Sequence, residues 1–449
     1  MVGGRESSQL LDGLLFPGIF QAFRMSIQPT KLIITSCALA VICLAGWIMD
    51  FSKTVPVVRD DQGKIVETEL QICMANLAPD VLRSEIQRLK ESGDRSGVFS
   101  ILWNFAGAKF KGAVDSVFDL KVREVWNNIH DCFKAVAWSL LYHPVYCIIF
   151  FIIKLAVISI AGGAVCRIAA LQFARGEKPG LTEALRFSTK RFTSFFTAPL
   201  APIGIMAFIG LFIILLGLAG NIPRVGELIV GIGMPLVLAA GFLIAVILIG
   251  AVVGFNLMFP AVAYDGSDCF DAISRSFSYI YARPWRMGFY TVIAAVYGSI
   301  CYTFVRFLAF LSLWITHWFL QLGLWAGNGS GQVNKLVAIW PKPEVRTLLG
   351  SSGPLATNWT EAVAIFLARL FVLLVVGLVV SFIISFYFSA NTIIYSLMRN
   401  RVDNTAREDI YMPYDEPEVE PGEVNRGPDH QEKSASKSES TPDSSSCES

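Results

Sequence analysis

Three basic side chains sit where a charge is costly. Lys154, Arg306 and Arg369 interrupt long apolar runs, and no Asp or Glu lies inside those runs. The nearest acids, Asp50, Glu227 and Glu361, stand at run ends. An unpaired charge at mid-bilayer costs at least about 2.5–3.5 kcal/mol on insertion scales, so each base demands an explanation. Bases without acids suit an anion, such as a lipid phosphate, or the carbonyls of a helix end. They do not suit proton-coupled transport, which relies on Asp, Glu or His relays inside the membrane. Only His143 and His317, near the outer ends, could serve in such a relay. We therefore expect Lys154, Arg306 and Arg369 to form an anion- or lipid-headgroup-binding region in the outer half of the bilayer. The competing reading is that these long side chains snorkel to the interface. A second spacing, Gly250-x-x-x-Gly254, is a helix-packing signal, usable within one bundle or between two chains.

Other chemistry lacks its residues. The sequence holds no G-x-x-x-x-G-K-[ST], H-E-x-x-H or G-x-S-x-G. His130, His143, His317 and His430 are dispersed, and the nine cysteines include no C-x-x-C pair, so no metal site is expected. No catalytic residue and no cofactor are expected either. Cys73 and Cys132 fall in one loop and could pair. Net charge is +1, which favours neither nucleic acid nor acidic partners.

The elements that must carry these residues follow from hydropathy. The chain has 449 residues, 54% hydrophobic and only 16% charged, with a mean hydropathy of +0.54. A membrane-crossing helix needs about 20 apolar residues, because each rises about 1.5 Å through about 30 Å of hydrocarbon. Six stretches qualify: Leu32–Met49, Val145–Cys166, Phe195–Ala219, Leu228–Met258, one starting at Met287 and one ending at Leu397. None alternates like a barrel strand. The fifth and sixth runs are too long for one crossing. We expect the fifth to cross as far as Val305, with Arg306 at the boundary and Phe307–Trp325 lying in the outer interface. Arg369 would divide the sixth run similarly. Pro199, Pro202 and Pro235 could kink their spans.

Orientation follows the basic loops. Arg167, Arg175, Lys178, Arg186, Lys190 and Arg191 lie between spans two and three, and Arg275, Arg283 and Arg286 between spans four and five. Short basic loops stay in the cytoplasm, so both termini are expected there. Residues 1–31 form a cytoplasmic segment without a signal-peptide cleavage pattern, and its amphipathic part, Leu10–Phe23, suits the membrane surface. Residues 32–50 are the first span. Residues 51–142 form an extracytoplasmic domain: VPVVRDDQGKIVETEL reads as a β-hairpin turning at Asp60–Gly63. Pro79 starts a helix whose Val81, Leu82, Ile86 and Leu89 share a face, and another helix runs from about Gly112 into span two. Residues 143–401 hold five spans, and 402–449 read as a disordered acidic, Ser-rich cytoplasmic tail.

Within 143–401 a unit recurs. Glu183-Ala184-Leu185 aligns with Asp271-Ala272-Ile273, each after a span and a glycine turn (Gly176, Gly266), and each opens a basic amphipathic helix leading to the next span. Such a helix would put Phe and Tyr in the acyl boundary and Arg among phosphates. The two units enter and leave on the same sides, so the repeat is parallel. The sixth span reads as a third, truncated unit.

This unit, over about Tyr142–Arg401, resembles bacterial multi-span membrane families of unknown function, and the membrane domain attached to some glycerophosphodiester phosphodiesterases. The catalytic domain of those enzymes, with its metal-binding acidic and histidine residues, is not in the sequence. The resemblance therefore implies architecture and no catalytic residue.

The fold expected is an all-α integral membrane protein of about six transmembrane helices, with interfacial helices and a small α+β extracytoplasmic domain. It would be multi-pass in the plasma (inner) membrane. The function expected is non-enzymatic: organisation or assembly through membrane lipids, and through protein partners on the outer domain or tail. The alternative is a permease for an anionic or amphiphilic solute.

Overall fold

The computed structural model of the chain describes residues 16–59, 65–75, 78–91, 93–323, 336, 339–344, 348 and 358–412. After a 3-10 turn at Phe16–Phe20, a short helix α1 (Gln21–Ser26) leads to α2 (Pro29–Met49). Proline suits the first turn of α2, where a backbone N–H would have no partner. β1 (Val55–Arg59) and β2 (Ile65–Thr68) pair antiparallel, with Val57 opposite Thr68. Thr68 and Gln71 form a capping box at the start of α3 (Glu69–Met74), which α4 (Pro79–Glu91) follows. A two-residue strand β3 (Arg95–Ser96) pairs with the other side of β1. Then come α5 (Val98–Phe118), α6 (Val122–Tyr142), α7 (Pro144–Arg175), α8 (Leu181–Lys190), α9 (Phe192–Thr197), α10 (Ala201–Ala219), α11 (Gly226–Asp265), α12 (Cys269–Ala282), α13 (Pro284–Gly323) and α14 (Trp359–Val402).

Six helices, α2, α7, α10, α11, α13 and α14, are long and apolar enough to cross a membrane. Their outward faces are greasy. Phe208 on α10 and Ile232 and Phe242 on α11 are each more than 70% exposed, and α10 buries only Pro202. Water would not tolerate so much contiguous apolar surface.

The ends of these helices differ from expectation in ways the contacts explain. α13 runs unbroken through Arg306 and α14 through Arg369. A charged side chain removes no backbone hydrogen bond, so it does not end a helix, and Phe307–Gly323 extends α13. The third apolar run does break, at Ala198–Leu200 between α9 and α10, where Pro199 has no N–H to donate. Pro235 stays inside α11. The helix expected from Gly112 starts earlier, because the Asp50 carboxylate accepts from the N–H groups of Phe99 and Ser100 at 2.9 Å. It then folds back at Leu120, which has φ of 56°. Arg167, expected in a loop, lies inside α7. Phe16–Phe23 does not lie flat on a surface: Ile19 and Ala22 are fully buried and Ser385 donates to Ser26 O at 3.0 Å. Residues 10–15, the turn at Asp60–Gly63 and most of the tail fall outside the described residues. Cys73 and Cys132 are free thiols.

The repeated unit has a clear geometry. α7 ends at Gly176 and α11 at Gly266, with φ of 75° and 62°, a left-handed cap that favours glycine. Each glycine N–H bonds the carbonyl four residues back, Gln172 at 3.1 Å and Val262 at 3.0 Å. The third unit ends similarly, with Asn404 at φ 54°, a residue that tolerates this region better than most. We call this end of the bundle the turn end and the opposite one the sheet end. The amphipathic helices pack on their own spans, burying Ala184 and Phe187 of α8 and Ala272, Ile273 and Ile280 of α12, while Phe270 stays exposed. A Cβ on Gly163 would lie 2.5 Å from Ser188 Oγ and 2.8 Å from the Phe195 ring. On α11, a Cβ on Gly250 would lie 3.0 Å from Phe277, and one on Gly254 2.9 Å from Ile280. The Gly250/Gly254 stripe thus receives α12.

Gly163→Val should therefore lower the melting temperature of the purified chain in detergent, by overpacking worth about 1–3 kcal/mol. Gly204→Ala, inside α10 where a Cβ meets nothing within 4 Å, should not lower it. Equal effects would refute this packing role.

Candidate functional site

Buried polar groups gather at the turn end. Two clusters stand out, and both are built by helix ends that the repeat brings together.

The first surrounds Lys31, one turn into α2. The residue is 0% exposed. Its Nζ donates to Gln172 Oε1 on α7 at 3.2 Å and approaches Ser389 Oγ on α14 at 3.5 Å. Both partners are neutral. An ammonium has three donors and is strongly hydrated in water, so this position is costly.

The second cluster centres on Asp265, the last residue of α11. Arg275 on α12 reaches its carboxylate at 3.2 Å and Arg399 on α14 at 3.1 Å, while Tyr395 donates a short hydrogen bond. Arg275 also bonds Asp271 one turn back, at 3.0 Å. Partial burial works against the Arg275 charge, but the Asp271 and Asp265 carboxylates outweigh it and raise its pKa. Tyr279 donates to Asp403, and burial together with that carboxylate holds its phenol well above the ordinary range.

A strap of chain, Asn404–Tyr411, crosses this end. Arg167 Nη1 donates to Ala263 O at 3.0 Å and Nη2 to Tyr411 O at 2.7 Å. The Tyr411 N–H returns to Tyr264 O at 3.1 Å. Tyr264 donates to Arg407 O, Arg399 to Asp409 O, and Ile410 is buried. A side chain on Gly266 would collide with the Tyr411 ring. The tail expected to be disordered from residue 402 is thus packed as far as Tyr411. Its composition predicts disorder, but backbone carbonyls of the strap are needed by buried arginines.

The chemistry of this arrangement is mutual neutralisation. Each charge in the Asp265 cluster faces an opposite charge, a phenol or a carbonyl. Among the described residues, no three His, Cys, Asp or Glu side chains stand close enough to hold a metal ion.

The three sequence-predicted bases lie elsewhere, on three helices. Lys154 is exposed on α7, Arg369 is exposed on α14, and Arg306 on α13 is half-buried with Nη1 3.1 Å from Tyr302 Oη. Gly298 faces Phe386, and Gly162 faces Phe388, which sets the register of α13 and α7 on α14. Lys154 and Arg306 therefore share a depth near residues 378–380 of α14. Arg369 lies about 15 Å nearer the sheet end. His143 Nε2 stands 3.8 Å from the Glu69 carboxylate, and His317 packs against Trp340.

Sequence reasoning passed over Lys31, Asp265, Arg399, Tyr395 and Tyr411. Lys31 sits one residue before the first apolar run, and Asp265 directly precedes a glycine turn. Those placements were the available signal. No family model, curated protein or solved structure matches this chain.

Arg399→Met should destabilise the chain by about 3–5 kcal/mol, the usual cost of stripping one partner from a buried ion pair. Asp265→Asn combined with Arg399→Met should cost clearly less than the sum of the single changes. Thermal unfolding in detergent measures both, and strict additivity would show that the two groups do not interact.

Proposed function

We propose that this chain is a non-enzymatic membrane protein that gathers anionic lipid headgroups and, with them, partner proteins. It would lie in the plasma (inner) membrane with its turn end and both termini in the cytoplasm. The carrying observation is a set of exposed bases at the turn end, Arg175, Lys178, Arg186, Lys190 and Arg283, which outnumber the exposed Glu177 and Glu183 among them and share that end with Trp285, which is 90% exposed. These bases point outward because the apolar sides of α8 and α12 are already occupied by α7 and α11. Trp285 has the amphipathic ring that favours the interface. Exposed Lys154 and Arg369 extend the basic surface along the lipid face. The charges of the Asp265 cluster are neutralised by one another, which suits a rigid scaffold. Partner proteins would dock on the sheet-bearing domain or on the tail. Composition argues against nucleic acid as a partner, and the reading invokes no cofactor.

A second reading, a permease for an anionic or amphiphilic solute, draws on Lys31. A buried ammonium with neutral partners at the junction of α2, α7 and α14 is an anion site in type.

Native mass spectrometry of the chain released from membranes separates the outcomes. Each juxtamembrane base contributes roughly 1 kcal/mol of attraction to an anionic leaflet, so four neutral replacements should reduce retention by about two to three orders of magnitude. Replacing Arg175, Lys178, Arg186 and Lys190 by Gln should therefore strip anionic phospholipid that the native chain keeps. Lys154→Leu and Arg369→Leu should each remove a smaller share. Unchanged retention in all variants would overturn the lipid reading. Saturable anion flux in proteoliposomes, lost in Lys31→Met, would favour the permease.

A further inference from the structure

We propose that the α5–α6 hairpin lies within the bilayer beside the spans, with one face of α6 immersed in phospholipid acyl chains, and not in water beyond them. The proposal rests on the membrane reading of the six apolar helices but not on the headgroup function. Its occupant is lipid.

The first observation is a stripe. Val122, Trp126, Ile129, Phe133, Val136 and Leu140 recur at alternating spacings of four and three, which places them on one side of α6. All six are exposed, from 45% at Ile129 to 79% at Val122. Nothing else in the described structure covers them.

The second observation is continuity. α6 turns at His143 directly into α7. Val145, Ile149 and Ile152 on α7 are likewise exposed, at 70%, 47% and 50%. α6 thus hands over at His143 to a span whose outward residues are as exposed as the stripe itself.

The third observation is depth. Phe99, near the start of α5, packs on Phe150 of α7 with ring centroids 5.6 Å apart, and it abuts Gly46 of α2. Eleven residues later Phe110 packs edge-on against Tyr302 of α13 at 5.3 Å. On the α14 register set by Gly162–Phe388 and Gly298–Phe386, Phe150 lies level with about residue 376 and Tyr302 with about residue 382. α5 therefore moves about 9 Å toward the turn end between these contacts. It runs obliquely alongside the spans and does not project past their ends. Phe110 reaches nearly the depth of Lys154.

The fourth observation is how the hairpin treats its charges. Lys109 on α5 pairs with Asp131 on α6 at 2.6 Å, both side chains less than 30% exposed, and Lys109 also stands over the Phe105 ring. At the tip Lys121 pairs with Asp119 and Glu124. The Lys109–Asp131 pair meets the condition for charge at membrane depth, while the exposed charges Asp115, Asp119, Lys121, Arg123 and Glu124 cluster at the hairpin tip, where they would have to reach one another or headgroups.

The test places a photo-crosslinking benzoylphenylalanine at Phe133, Trp126, Ile149 or Arg88 of the full chain, in vesicles of phosphatidylglycerol and phosphatidylethanolamine. Phe133 and Trp126 are close in shape to the probe and exposed, so folding should survive. The adduct yield with phospholipid at both sites should come within about three-fold of that at Ile149 and exceed that at Arg88, on exposed α4, by about ten-fold or more. Lipid adducts at Ile149 with none at Phe133 or Trp126 would overturn the proposal and leave the spans in the membrane. Cross-linked dimers at Phe133 in place of lipid adducts would overturn it in favour of a second copy. No lipid adduct even at Ile149 would remove the membrane reading and the proposal together.

Discussion

A carboxylate that ends a 40-residue apolar helix has to find its compensation in the rest of the chain. Asp265 finds it in Arg275, Arg399 and Tyr395. That demand fixes three elements at once: α12 must fold back onto α11, α14 must descend beside it, and the chain beyond α14 must bend across. Removing a charge from water costs several kcal/mol unless its partners are well placed, so the geometry tolerates little drift. Arg167 extends the same constraint to α7, because its guanidinium is bonded to backbone carbonyls of α11 and the strap. The two repeated units are therefore joined at the turn end by the Arg167 guanidinium, while close glycine contacts hold each amphipathic helix to its own span.

Toward the sheet end the balance changes. Polar groups thin out and exposed Leu, Ile, Val and Phe dominate, so the helices there depend on their surroundings more than on one another. The α10–α11 pair illustrates this, since α10 buries one residue. Asp50 marks where this arrangement meets the sheet-bearing domain, capping α5 while Tyr146 of α7 approaches the same carboxylate at 3.4 Å.

Much of the fold was legible because long apolar runs admit only helices in hydrocarbon. The β1–β2 hairpin and α4 were legible from local pattern, with Ile86 and Leu89 buried and Val81 exposed on the face assigned to all of them. β3 was not legible, because two residues carry no periodicity and their partner lies some 40 positions earlier. Helix ends were misjudged wherever a distant group decided them. Asp50 starts α5, and no local residue does so. Arg306 and Arg369 looked like boundaries but leave the backbone ladder intact. The anion region drawn from charge alone named residues on three helices and at two depths. The residues that are gathered, Lys31, Asp265 and Arg399, border apolar runs, where a charge looks ordinary until the helix proves longer than the run.

The most direct test of the turn-end account is hydrogen exchange of the strap in the lipid-embedded chain. Tyr411 donates its N–H to Tyr264 O and is held by two arginines. The Tyr411 amide should therefore exchange at least about a hundredfold more slowly than in an unstructured peptide. Exchange at the unstructured rate would mean that the strap does not cover the turn end, and that the buried charges there are compensated in some other way.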